Sequence, residues 1–119
     1  MEKFVIKSDN RRIIGPYVYD DYYVYRQISN GRLLKYIYYS ISDLNDAYSM
    51  LGEKYMKQKF NRFIYKVKEN DGVYFIKKMI FPFIWKKLLN LDGYETAHLA
   101  YKDFGKSITV QVIPYGSEE

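Results

Sequence analysis

Hydrophobic and polar positions follow two periods along this chain, one of about two residues and one of three to four, and the two alternate in blocks. Lys3-Phe4-Val5-Ile6-Lys7 predicts a first strand, and the polar run Ser8-Asp9-Asn10 predicts a turn after it. Beyond Gly15-Pro16, the β-prone runs Tyr22 to Ile28 and Leu33 to Ile41 bracket Asn30-Gly31. Both residues of such a pair tolerate positive φ, so the pattern predicts a hairpin. Phe63 to Lys68 and Val73 to Lys78 around Asn70-Asp71-Gly72 predict a second hairpin by the same turn chemistry.

Between the hairpins the period lengthens. Leu44, Tyr48, Leu51 and Tyr55 recur at helical spacing and predict one long helix over 42–61 with that stripe buried. Ser42 is placed to cap its first amides, and Asp43 to complement its dipole. Gly52 weakens such a helix by about 1 kcal/mol relative to alanine, which the rest of the pattern outweighs. Pro82 suits the first turn of a short helix running through Trp85 and Leu89, with Gly93 to end it. Tyr94 to Phe104 carries no clear period. Ile108, Val110 and Val112 then alternate with polar residues, giving a last strand that Pro114 stops, and the tail Gly116-Ser117-Glu118-Glu119 is expected to fray.

Strands joined by short turns, with one long helix among them, define an α+β fold: a largely antiparallel sheet of about five to six strands, the long helix packed on a face and a short second helix. No linker rich in Pro, Gly or Ser divides the chain, so residues 1–119 are expected to form a single domain. There is no cysteine, which excludes disulfides and thiolate zinc sites. No apolar run approaches the ~20 residues of a membrane span, and the N-terminus lacks an apolar signal segment. A cytoplasmic protein with no membrane partner is the expectation. Fifteen tyrosines, with many Lys, Asn and Ile, fit an AT-rich genome such as those of low-GC bacteria and their phages, and tyrosine itself favours strands.

Charge is the most informative feature of the composition. Residues 53–87 hold ten Lys or Arg against Glu53, Glu69 and Asp71, while the remaining residues are slightly acidic. Positive charge interleaved with aromatic rings is what a polyanion binder needs, because ammonium groups displace counterions from phosphates and ring faces stack on bases. Lys54, Lys57, Lys59, Arg62, Lys66, Lys68, Lys77 and Lys78 are the candidate partner- or nucleic-acid-binding residues, the first three on the exposed flank of the long helix. The competing reading is a solvated sheet face whose lysines guard an edge. The span matches no RNA-recognition motif, homeodomain or zinc finger.

Candidate chemistry is sparse. His98 is the only histidine, and Glu95 would share its face if the segment were helical, but no third ligand accompanies them. Asp20-Asp21 and Asp43 with Asp46 are the remaining acidic pairs, one before a strand and one at a helix start. Gly105-Lys106-Ser107 lacks the strand and the partner glycine of a phosphate-binding loop. No catalytic residue, metal or cofactor is therefore expected, with a small Mg²⁺-dependent nuclease as the remaining enzymatic alternative.

Residues 100–110, Ala-Tyr-Lys-Asp-Phe-Gly-Lys-Ser-Ile-Thr-Val, resemble a Tyr-x-x-Phe-Gly-Lys segment leading into an alternating strand in small phage proteins, among them a type II-A anti-CRISPR family. The resemblance implies a small, non-catalytic phage protein that disables a CRISPR nuclease. With the basic span, it points to an accessory protein that binds and inhibits a protein or ribonucleoprotein complex of the host handling nucleic acid. A direct DNA- or RNA-binding protein of a mobile element is the alternative.

Overall fold

Asn30-Gly31 and Asp71-Gly72 turn the chain as their chemistry predicts: Gly31, Asp71 and Gly72 all have positive φ, and each turn joins two antiparallel strands. A computed structural model describes residues 2–117. Its elements run β1 (Lys3–Ile14), β2 (Tyr17–Gln27), β3 (Leu33–Ile41), α1 (Leu44–Met56), a 3₁₀ turn (Asn61–Phe63), β4 (Tyr65–Asn70), β5 (Val73–Phe81), β6 (Ile84–Leu88), α2 (Ala97–Ile108) and β7 (Thr109–Ile113). The class is α+β, but the seven strands form two sheets, β3-β2-β1-β7 and β4-β5-β6, in place of one sheet of five to six. They fall in two compact units, one up to Ala47 plus the residues from Ser107 on, the other Tyr48–Lys106. No helix among the described residues is long and apolar enough to cross a membrane.

In the first unit Phe4, Val5 and Ile6 are all buried, as a central strand requires, and the Phe4 ring lies 4.8 Å from that of Tyr36. β1 pairs with β7 in parallel, which departs from the expected antiparallel pattern. The predicted turn at Ser8-Asp9-Asn10 is a register shift within β1, and the strand continues to Ile14. Beyond the reach of β3 and β7, β1 and β2 extend as a two-stranded arm to Gly15-Pro16, with Ile13, Ile14, Tyr17 and Val18 exposed at its tip. Cross-strand pairs hold it: Arg11 Nε lies 2.6 Å from Asp20 and Arg12 donates twice to Asp21 at 3.0 Å. These hydrogen bonds hold both carboxyls below the usual carboxylate range.

In the second unit α1 and α2 meet backbone to backbone. A Cβ on Gly52 would lie 2.1 Å from the Tyr101 carbonyl oxygen, and one on Gly105 would lie 1.9 Å from that of Tyr48. Glycine at both positions permits the approach. Tyr55 and Phe104 then pack against Tyr65 of β4, with ring centroids 5.3 to 6.1 Å apart. α1 is shorter than expected and ends at Met56. Asp43, and not Ser42, caps it, accepting from the amides of Asn45 and Asp46. Leu51 and Tyr55 are buried as expected, Leu44 and Tyr48 only half so, and Ala47 completes the stripe.

Residues 82–89 are not a helix. β5 and β6 form a hairpin whose corner is Pro82-Phe83, with Phe81 paired to Ile84. Proline's fixed φ suits a turn corner as well as it suits a helix start, and Phe83 takes the positive φ of 64° that a type II turn needs at its next position. The segment without a clear period becomes α2, capped by the Thr96 hydroxyl, which accepts from the Leu99 amide. Tyr94 donates to Asp103, and burial first, then this bond, pushes its phenol up to about 12. Of the acidic tail, Glu118 and Glu119 lie outside the described residues.

Candidate nucleic-acid interface

Alternation along β4, β5 and β6 divides their side chains between two faces. Tyr65 and Ile76 are buried on the inner one. The outer face takes the opposite parity, and its register aligns Lys66 with Lys77 and Lys77 with Lys87, one row of three lysines across three neighbouring strands. Like charges directly opposite one another destabilise a sheet, so packing alone does not account for such a row. Phe75 and Lys68 are paired beside the row on one side, Met79 and Trp85 on the other.

The rings take part of the charge. Lys66 Nζ lies 3.9 Å from the Trp85 ring centre, and Lys87 Nζ lies 4.0 Å from that of Phe75. Both distances are well inside cation–π range. Desolvation, followed by repulsion from Lys68 and Lys77, holds the Lys66 ammonium below its ordinary value. An anion at this face would relieve that repulsion. The acids of the span are engaged elsewhere: Glu53 pairs with Lys57 at 2.8 Å, Glu69 accepts from the Gly72 amide at 2.8 Å, and Asp71 occupies the β4–β5 turn.

Next to the row is a concave apolar site of about 460 Å³ lined by Arg62, Phe63, Lys66, Met79, Pro82, Phe83 and Trp85. Arg62 stands over the Phe63 ring at 4.9 Å. Phe83 is 95% exposed at the hairpin corner, and Phe60, Phe63, Ile80, Phe81 and Ile84 are exposed as well.

The eight predicted residues thus separate. Lys66, Lys68 and Lys77 share the outer face, and of these only Lys66 meets Arg62 at the concave site. Lys78 points to the other face, opposite Tyr65 and Lys86. Lys54 is in the last turn of α1, while Lys57 and Lys59 follow the helix and are not part of its flank. Lys87, Phe75, Trp85 and Phe83 complete the site and were missed; Ile84-Trp85-Lys86-Lys87 does not alternate, and the only signal was the charge of Lys87 within the basic span.

Among the described residues no three His, Cys, Asp or Glu side chains gather as metal ligands. Glu95 precedes α2, so it does not share a helical face with His98. Asp20 and Asp21 are bound to Arg11 and Arg12, and Asp43 is a helix cap. Gly105-Lys106-Ser107 lies inside α2. Comparison with protein-family models, curated proteins and solved structures returned no match.

Proposed function

We propose that this chain is a non-catalytic binding protein that grips a single nucleic-acid strand through the outer face of β4, β5 and β6, and that it does so on a nucleic-acid-handling complex whose strand it occludes. The observation that carries the reading is the row Lys66, Lys77, Lys87, three cations paired with one another in register and with no acid among those pairs. Phosphates spaced along a strand neutralise such a row and release counterions as they do so, and the flanking Trp85 and Phe75 rings present π-faces to bases. The likeness of residues 100–110 to small phage inhibitors of CRISPR nucleases agrees with an inhibitory role, and a guide-loaded nuclease is a complex with strand to offer.

A fluorescently labelled 20-nucleotide single strand tests the binding directly. Its affinity is expected to fall steeply as salt rises from about 50 to 200 mM. No binding at the lower salt, to the free strand or to a guide-loaded nuclease, would remove the reading.

A further inference from the structure

Phe83 occupies a position that the backbone reserves for small residues. At the second central position of the β5–β6 turn it has φ 64°, a conformation that is an outlier for a bulky side chain, and its ring is 95% exposed. Glycine or asparagine would fit this corner better on conformational grounds alone. The corner thus holds a large ring out into solvent, where it is available for contact.

What that ring borders decides the contact. The concave site of about 460 Å³ has Phe63, Met79, Pro82, Phe83 and Trp85 as its apolar walls and Arg62 and Lys66 as its only charged lining residues, both cationic. That volume falls within the range of small-molecule sites. An occupant must therefore offer flat apolar faces and carry negative charge beside them. An uncharged aliphatic chain leaves Arg62 and Lys66 unmatched, a lipid chain offers no flat face to the rings, and a phosphate alone leaves the rings uncovered. A nucleotide unit has both.

We infer that this site takes one unstacked base of a bound single strand, seated against Trp85 and covered by Phe83, with its flanking phosphates on Arg62 and Lys66. The inference rests on the reading of the lysine row as a strand-binding face and adds that bases, as well as phosphates, are engaged. To enter, the base displaces the Lys66 ammonium from its place 3.9 Å over the Trp85 ring, which frees that cation for phosphate. Bases paired inside a duplex are excluded, because they present only their edges in the grooves.

Trp85 is the only tryptophan, beside fifteen tyrosines, so tryptophan emission, excited beyond the tyrosine absorption band, reports on this site alone. Oligothymidylate, oligouridylate, an abasic oligomer of equal phosphate number, a duplex and anionic phosphatidylglycerol vesicles are titrated separately. Quenching by either base-bearing strand, with the abasic oligomer binding about tenfold more weakly and leaving the emission unchanged, is the expected result. Oligodeoxyuridylate, which differs from oligouridylate only at the 2′-hydroxyl, tells whether DNA or RNA is preferred. Phe83→Ala and Phe83→Gly should each lower the affinity for the base-bearing strand about tenfold and leave the abasic oligomer unaffected; the glycine variant, which suits the positive φ, keeps the fold intact. Equal binding of abasic and base-bearing strands with constant emission overturns the base site while leaving the lysine row standing. Emission changes with vesicles alone overturn it in favour of a lipid surface, and failure of every strand to bind overturns both readings.

Discussion

Gly52 of α1 and Gly105 of α2 face one another across the helix crossing, so closely that a Cβ on Gly52 would stand 3.0 Å from the Gly105 amide nitrogen as well as against the Tyr101 carbonyl. In an isolated helix, alanine at position 52 would gain about 1 kcal/mol over glycine. Here the atoms it would meet are backbone, which does not swing aside. Gly52→Ala and Gly105→Ala are each expected to destabilise the fold by about 1 to 3 kcal/mol, the range of overpacked cores. Chemical denaturation checks this, and an increase in stability for either variant would mean that the helices do not meet there.

The arm of β1 and β2 is expected to resist acid until late. Hydrogen bonds from Arg11 and Arg12 lower the carboxyl pKa values of Asp20 and Asp21. A depressed folded pKa gives stability that is fully present above the unfolded value, about 3.9, and lost as pH falls through the lower folded value. The protection factors of the amides at Tyr17 to Tyr19, their exchange relative to unstructured chain at the same pH, should therefore hold from neutral pH down to about 4 and fall below it. Loss of protection already near pH 6 would show that other groups hold the arm.

Replacing His98 with Asn or Gln is expected to leave strand binding within a few-fold of the parent. His98 is exposed on α2, and Glu95 is outside that helix. A loss of a hundredfold or more in a folded variant would reopen the case for an active site at these residues.

Both predicted hairpins were legible because their turns are local chemistry: Asn30-Gly31 and Asp71-Gly72 can take positive φ wherever they stand. Tyrosine pointed the same way, and ten of the fifteen fall in strands. The corner at Pro82-Phe83 misled, since proline serves helix starts and turn corners alike and phenylalanine rarely takes the conformation it has here. The parallel pairing of β1 with β7 joins segments about a hundred residues apart and leaves no local mark. Gly52 read as a weakness because its reason, Gly105, belongs to another helix.

The site divides along the same line. The concentration of positive charge in residues 53–87 could be counted directly, and with it the candidate lysines. Which of them act together depends on strand register, which pairing alone decides. Lys77 and Lys78 are neighbours in sequence but belong to opposite faces, and only Lys77 stands between Lys66 and Lys87.

The measurement that bears most directly on the account compares Lys66→Gln/Lys77→Gln/Lys87→Gln with Lys54→Gln/Lys57→Gln/Lys78→Gln, two triple variants of equal charge. Each is titrated with a labelled single strand over a range of salt. The first removes the row from the outer face and relieves its internal repulsion, so stability should hold or rise while the slope of log affinity against log salt flattens by about 2, near 0.7 for each phosphate that the row no longer neutralises. The second leaves the row intact and should keep most of the parent's affinity and slope. Equal weakening in both variants would mean that binding follows net charge, and an unaffected first variant would contradict the assignment of this face.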